Sequence, residues 1–209
     1  RHVRCAYHGW TYDLGGRLIH APEMEDAAGF DPTEIALRPV DVREWQGFVF
    51  ARAGNDPVFD ATLDAVTNVA GSAAFAGLQH HSTRLYDVQA NWKVYVDNFL
   101  EGYHLPFVHP GLMQVLDYRD YATELGDGWS LQRSPVEASG AYGAGTGLYF
   151  FLFPNTMLNI MPGRVQTNRV VPISKDSCQV EFDFYYAPDA VERAAADAEF
   201  SDEVQEEDR

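Results

Sequence analysis

Apolar runs between polar, glycine-containing turns dominate the chain from residue 80 to residue 187, and they predict a β-rich domain. The first run, HHSTRLYDVQA (80–90), reads as a strand. Five further strand candidates follow in residues 129–187: WSLQRSPVEA, GLYFFLF, TMLNIM, RVQTNRVVPI and SCQVEFDFYY. We expect these runs to form strands.

Helical patterns interrupt this series of strands. The segment PVFDATLDAVTNVAG (57–71) has apolar residues at helical intervals, and Gly71 is placed to cap the helix. Asn91 opens a second helical stretch, NWKVYVDNFLEGYH, which we expect Pro106 to interrupt. The acidic tail from Asp189 also has a helix-forming composition.

The first part of the chain has a different character. Residues 1–20 predict short strands and tight turns, residues 21–39 a surface loop, and residues 40–54 a hairpin turning near Gln46–Gly47. Asn55–Asp56–Pro57 closes this unit. The prediction is an α+β chain with two domains: a small β domain over residues 1–55 and an α+β domain over residues 56–209.

Composition narrows the possible functions. The 209 residues contain 15 basic and 31 acidic side chains, so the net charge of −16 argues against nucleic acid or an anionic membrane surface as a partner. Nothing in the sequence is apolar enough over about 18 residues to span a bilayer, and we expect a cytoplasmic protein. The chain begins without Met and ends in a charged segment, which suggests an internal piece of a longer protein.

Two groups of residues carry candidate chemistry. Cys5 and His8 form a Cys-x2-His pair on a predicted turn, where a thiolate and an imidazole could bind one metal. These two donors cannot complete a four-ligand site, and a buried cysteine beside a structural histidine is the alternative. Cys178 lies in a distant strand, and neither cysteine has a convincing partner for nucleophilic catalysis.

The second group is EGYHLPFVH (101–109). On a helix Glu101 and His104 share a face, and a break at Pro106 allows His109 to return to the same point. Two imidazoles and one carboxylate form the facial triad of non-heme Fe(II) oxygenases, although zinc could use the same ligands. Asp97 and Asn98 would hold a further carboxylate and an amide near this site.

Three stretches resemble the catalytic alpha subunit of the Rieske non-heme iron oxygenases. CAYHGWTYDLGGRL (5–18) resembles the second ligand loop of a Rieske [2Fe–2S] cluster, and NWKVYVDNFLEGYHLPFVH (91–109) resembles the mononuclear-iron motif. FPNTMLNIMPGRV (153–165) resembles the strand pair that lines the substrate cavity in one branch of that family. The resemblance implies part of a Rieske domain followed by a helix-grip catalytic domain.

The resemblance also implies roles for single residues. Cys5 and His8 would bind the [2Fe–2S] cluster, with its other two ligands upstream of this chain. His104 and His109 would bind a mononuclear Fe(II), and Asp208, in the tail SDEVQEEDR, is the candidate third ligand. Glu101 stands where the family has an acid that connects the cluster of one subunit to the iron of its neighbour.

The function that the resemblance implies is an oxygenase component. It would use O2, and electrons from a separate reductase or ferredoxin, to hydroxylate or dihydroxylate an aromatic compound in hydrocarbon catabolism. It would form homo-oligomers such as a trimer, or assemble with a beta subunit. Oxidation or demethylation of a quaternary ammonium compound such as choline or a betaine is the alternative within the family. A helix-grip ligand-binding domain and a Rieske electron carrier are the alternatives outside it.

The resemblance further proposes the residues around the substrate. Aliphatic and aromatic side chains of the two catalytic-domain motifs are the candidates for the cavity wall, although such residues are more often plain core. They are Phe99, Leu105, Phe107, Met157, Leu158, Asn159 and Met161.

Overall fold

The computed structural model describes residues 1–52, 58–136 and 145–208. The chain divides into two compact units, Arg1–Asp56 and Pro57–Arg209. The predicted boundary at Asn55–Asp56–Pro57 lies outside the described residues. In the described ranges no helix combines the length and the apolar character that crossing a membrane requires.

The first unit is built from short antiparallel strands. Strands β1 (Val3–Arg4), β2 (Thr11–Tyr12) and β3 (Leu18–His20) form one sheet, and β4 (Asp41–Trp45) pairs with β5 (Phe48–Arg52). The predicted turn at Gln46–Gly47 is confirmed, because both residues have positive φ values, 50° and 86°. Positive φ at both central positions gives the turn a twist that matches the strands it joins.

The second unit is centred on a seven-stranded antiparallel sheet with the strand order β6-β12-β11-β10-β9-β8-β7. Its strands are β6 (Gln79–Val88), β7 (Ala122–Gly126), β8 (Trp129–Val136), β9 (Gly145–Leu152), β10 (Thr156–Met161), β11 (Arg164–Pro172) and β12 (Cys178–Tyr186). All six predicted strands are confirmed, and β7 was not predicted. The helices are α1 (Val58–Ala70), α2 (Trp92–Phe99), α3 (Leu105–Val108), α4 (Leu112–Val115) and α5 (Ala194–Glu207).

The helix predicted to run from Asn91 through His104 is wrong in its second half. Asn91 caps α2 by accepting a hydrogen bond from the backbone N–H of Lys93 at 3.0 Å, but α2 ends at Phe99. Glu101 and His104 therefore do not share a helix face. Pro106 lies in the first turn of α3, where the helix tolerates it because no backbone donor is needed at that position.

The core lies between the sheet and helices α2 and α5. Alternate residues of β12, among them Val180, Phe182 and Phe184, are buried and pack with Val96 of α2 and Ala198 of α5. Because side chains alternate along a strand, one face of β12 covers this core. Both helices therefore lie on the face of the sheet that also carries the polar cavity-lining residues described below.

Helix α5 meets the sheet through polar side chains. Asp197, Ser201 and Gln205, at helical spacing, are all buried. Asp197 forms an ion pair with Arg164, whose Nε lies 2.6 Å from Oδ2, and accepts a hydrogen bond from the Tyr186 hydroxyl. Burial raises the pKa of the Asp197 carboxyl above its usual range, while the Arg164 guanidinium opposes that shift.

The ion pair between Arg164 and Asp197 is a required element of this packing. Both side chains are nearly fully buried, at 5% and 2% exposure. Asp197→Ala would leave the guanidinium uncompensated, so we expect the free energy of unfolding to fall by about 3–5 kcal/mol. Chemical denaturation of the intact protein measures this free energy of unfolding.

The double variant Asp197→Leu with Arg164→Met is the matched control. It removes both charges and keeps apolar volume, so it should lose clearly less stability than Asp197→Ala alone. An Asp197→Ala protein as stable as the parent would show that the pair does not hold α5 to the sheet.

Candidate metal centre

The turn between α2 and α3 positions Glu101 against His104. The Glu101 carboxylate accepts hydrogen bonds from the backbone N–H groups of Tyr103, at 2.7 Å, and His104, at 3.3 Å. The same carboxylate contacts His104 Nδ1. Glu101 therefore stabilises the turn and fixes the imidazole of His104, leaving Nε2 as the nitrogen available to a metal.

His109 ends α3 and is almost completely buried, with 1% exposure. Its Nε2 lies 3.0 Å from Asp208 Oδ1, and its Nδ1 lies 2.9 Å from Glu207 Oε2. The rings of His104 and His109 are close, with centroids 5.2 Å apart. The short helix α3 thus brings together two histidines that a longer regular helix would separate.

The structure brings His104, His109 and Asp208 to one point. Their potential ligand atoms all lie within 4.8 Å of one another. Two imidazoles and one carboxylate on one side of a potential ion fit the ligand set of a non-heme Fe(II) site, which leaves other positions open. Zinc accepts the same donors, and the role of these residues as iron ligands stays a prediction.

Asn98 and Asp97 have different positions although they are neighbours. Asn98 Nδ2 donates to Asp208 Oδ1 at 3.1 Å, and Asn98 faces the cavity beside the metal cluster. Asp97 is exposed and is not part of the cavity wall. The prediction that Asp97 holds a carboxylate near the site is therefore wrong, because one residue along a helix turns the side chain by about 100°.

A cavity of about 140 Å³ adjoins the three potential ligands. Five aromatic side chains contribute to its wall: Tyr95, Phe99, Tyr121, Tyr149 and Phe182. Six carboxamides contribute as well: Gln132, Asn159, Gln166 and Asn168 from the strands, and Asn98 and Gln205 from the helices. The volume exceeds what one water molecule needs by roughly tenfold, so a small organic molecule has room there.

The carboxamides that the strands contribute form a continuous polar band, because these strands are neighbours in the sheet. Asn159 of β10 is paired with Gln166 of β11 on one side and with Tyr149 of β9 on the other. Along β11, the Arg164 guanidinium donates to Gln166 Oε1, and Gln166 Nε2 donates to Asn168 Oδ1 at 2.7 Å. The polar residue at every second position of β11 was a sequence signal for this band.

The predicted wall residues divide into two groups. Phe99, Leu105, Asn159 and Met161 line the cavity. Phe107 is 87% exposed, while Met157 and Leu158 are fully buried in the core without reaching the cavity. The strand alternation places Leu158 on the face opposite to Asn159, which explains one of these differences.

Tyr121 connects the cavity to the Glu101 turn. Its hydroxyl donates to Gln132 Oε1 at 2.5 Å, and Gln132 Nε2 donates to the carbonyl of Phe99. Burial raises the pKa of Tyr121 well above its usual value, and the charge of Glu101 adds to the shift. The phenol therefore remains a donor at neutral pH. Sequence reasoning missed this contact because its partners are distant along the chain.

In the first unit, Cys5 and His8 lie on one tight turn. The backbone N–H of Cys5 donates to the carbonyl of Trp10 at 2.8 Å, and the N–H of Gly9 donates to the carbonyl of Cys5 at 3.1 Å. Gly9 has a φ of 75°, a conformation that favours glycine. Cys5 is a free, exposed thiol. One thiolate and one imidazole match half of the Cys2His2 ligand set of a Rieske cluster.

Two protein-family models match parts of this chain. A family model described as the ring hydroxylating alpha subunit, catalytic domain, matches residues 75–209, and the Rieske [2Fe–2S] domain model matches residues 1–38. The chain belongs to the family of ring-hydroxylating alpha subunits. Members of this family combine a Rieske cluster with a mononuclear iron, so the cofactors predicted from the sequence are confirmed at the level of the family.

Named relatives act on quaternary ammonium compounds. The chain is 33% identical to a chloroplastic choline monooxygenase from Arabidopsis thaliana, over 98% of this chain and 53% of the relative. It is 32% identical to the carnitine monooxygenase oxygenase subunit of Escherichia coli (strain K12), over 88% of this chain and 52% of the relative. The crystal structure of the quaternary ammonium Rieske monooxygenase CntA with an inhibitor superposes with a TM-score of 0.71 at 25% identity, over 88% of this chain and 52% of that chain. The chain therefore spans about half the length of these relatives.

Gly102 provides a test of the turn geometry. A Cβ atom at this position would lie 2.5 Å from Tyr121 Cε1, so Gly102→Ala must displace the ring. We expect about 1–3 kcal/mol of lost stability and weaker metal binding, because the ring packs against the Glu101 turn. Denaturation and zinc titration measure the two effects.

Combining Gly102→Ala with Tyr121→Leu is the control, because the smaller side chain leaves space for the new methyl group. The two substitutions should show clear coupling in a double-mutant cycle. Strict additivity of their effects on stability would contradict the proposed contact.

Proposed function

We propose that this chain acts as the oxygenase component of a Rieske-type system and oxidises a quaternary ammonium compound. The observation that carries the oxygenase part is the convergence of His104, His109 and Asp208 beside a partly enclosed cavity. The activities of the similar choline and carnitine monooxygenases support the substrate class. This substrate replaces the aromatic compound that the sequence first suggested.

The cavity wall favours a cationic substrate mainly through its aromatic side chains, because their faces attract alkylammonium groups. Glu101 contributes a carboxylate to the wall, and the guanidinium of Arg164 is paired with Asp197. The charge of Asp208 would be offset by the iron that it binds, so Asp208 does not add to the attraction of the substrate.

The polar band argues against a purely hydrocarbon substrate. A hydrocarbon in the cavity would displace water from the carboxamides and could not accept or donate hydrogen bonds in its place. Burying polar groups in this way costs free energy. In the described part of the chain, the buried Oδ1 atom of Asn159 has no hydrogen-bond partner. A substrate with a polar end suits such a wall better than a fused aromatic ring.

The residues have distinct tasks in this proposal. His104 and His109 would hold iron through their Nε2 atoms, and Asp208 through its carboxylate. The iron, when bound, supplies the activation of O2 that inserts oxygen into the substrate. Glu101 orients His104, Asn98 orients Asp208, and the aromatic wall excludes water from the substrate.

Electrons would come from a separate reductase or ferredoxin through a cluster held in part by Cys5 and His8. We further propose a homo-oligomer, such as a trimer, in which the cluster of one subunit serves Glu101 of its neighbour. The possible beta subunit and the cytoplasmic location also stay predictions.

His104→Ala tests the metal centre. We expect the intact protein to lose mononuclear iron and substrate oxidation while it keeps the cluster, because one of two imidazole ligands is removed. Iron analysis together with the cluster's visible absorption measures this. His81→Ala, an exposed histidine on β6, should keep the full iron content. Product formation at the parent rate by His104→Ala would contradict the assignment.

Choline and its uncharged isostere 3,3-dimethyl-1-butanol test the substrate class. Since both have the same shape, cation–π and carboxylate attraction should make choline bind roughly tenfold more tightly, corresponding to about 1–2 kcal/mol. Calorimetric titration of the iron-loaded protein measures the two dissociation constants.

Naphthalene serves as the aromatic comparison in the same titration. Binding and oxidation of naphthalene in preference to choline would favour ring hydroxylation. A protein that binds choline but takes up no iron would instead be a ligand-binding domain.

A further inference from the structure

Glu207 occupies a position that the family assignment does not explain. It is the last residue of α5, directly before Asp208, and its side chain is only 33% exposed although it lies in an acidic tail. The carboxylate contacts the buried His109, with Oε2 2.9 Å from Nδ1. This contact joins the last helix to α3 over a long sequence separation.

The two imidazoles of the metal centre have equivalent surroundings. His104 Nδ1 faces the carboxylate of Glu101, and His109 Nδ1 faces that of Glu207. In each case Nδ1 is occupied by a glutamate. His109 Nε2 is directed toward Asp208 Oδ1, at 3.0 Å. In His109, Nδ1 therefore contacts a glutamate, whereas Nε2 is directed toward a potential metal ligand.

A metal-binding imidazole must be neutral, with its proton on the nitrogen that does not bind the metal. A carboxylate that accepts this proton in a hydrogen bond fixes the tautomer, holds the ring in place and increases its basicity. Loss of such a partner typically weakens metal binding by about 10–100-fold. Glu207 has the position and the chemistry for this task at His109.

We propose that Glu207 is a positioning residue for the metal centre, which orients His109 and fixes its Nδ1–H tautomer. The proposal rests on the metal site described under Proposed function. Two consecutive residues at the end of α5 would then act on opposite sides of the His109 ring. Glu207 would hold Nδ1, and Asp208 would bind the same metal ion as Nε2. Glu207 is outside the group of three potential ligands, so it acts through His109.

Zinc affinity of the intact protein tests this role, with zinc as the probe in competition with a chromophoric chelator. Glu207→Ala should bind zinc about 10–100-fold more weakly, because nothing orients His109. Glu207→Gln should recover at least about threefold of this loss, because its amide oxygen still accepts a hydrogen bond from Nδ1–H. A purely structural effect of helix α5 would not produce this order.

Glu203→Gln is the matched control. Glu203 is an exposed glutamate one helical turn before Glu207, so its substitution should leave zinc affinity unchanged. The thermal unfolding temperature of the metal-free protein should be the same in Glu203→Gln and Glu207→Gln. That comparison separates positioning of the ring from a loss of helix stability.

The outcomes distinguish this proposal from the underlying metal site. Parental zinc affinity in Glu207→Ala, with binding abolished in His104→Ala, would overturn the role of Glu207 alone. Abolished binding in Glu207→Gln would identify Glu207 as a ligand and would also overturn it. Parental affinity in His104→Ala would overturn the metal site itself, whatever the Glu207 variants show.

Discussion

The docking of helix α5 on the sheet is the constraint on which the candidate site depends. The helix carries Asp208 at its end, so its position decides whether a carboxylate reaches His104 and His109. Polar contacts hold it along its length: Asp197 with Arg164, Gln205 with Tyr95 at 2.7 Å, and Glu207 with His109. Because hydrogen bonds and ion pairs are directional, they fix the rotation of the helix more exactly than apolar packing would.

The same arrangement explains why the cavity wall is both aromatic and polar. Arg164 and Gln166 of β11 face α5 and the cavity together, since alternate residues of a strand share one face. Arg164 is buried with Asp197, so this guanidinium leaves little net positive charge in the wall. The aromatic faces of the wall, together with the carboxylate of Glu101, are the physical basis for preferring a cationic substrate.

Several features could be predicted from the sequence because they depend on local patterns. The strands, helix α1 and the Gln46–Gly47 turn follow from periodicity and turn chemistry, and the spacing of His104 and His109 indicated a metal site. The prediction of a continuous helix through His104 was wrong, because helix propensity does not account for the hydrogen bonds by which the Glu101 carboxylate stabilises a turn before His104. Asp97 was assigned to the site because sequence proximity does not decide which helix face is buried.

The sequence by itself determined which chemical groups are available: two histidines in one short segment, a Cys-x2-His turn and an acidic tail. Only the tertiary structure decided which of the tail's acids matters, since all of them have similar local surroundings along the chain. Asp208 and Glu207 meet His109 because β11, β12 and α2 determine where α5 lies. Contacts between residues so distant in sequence depend on the packing of whole elements, which no local pattern records.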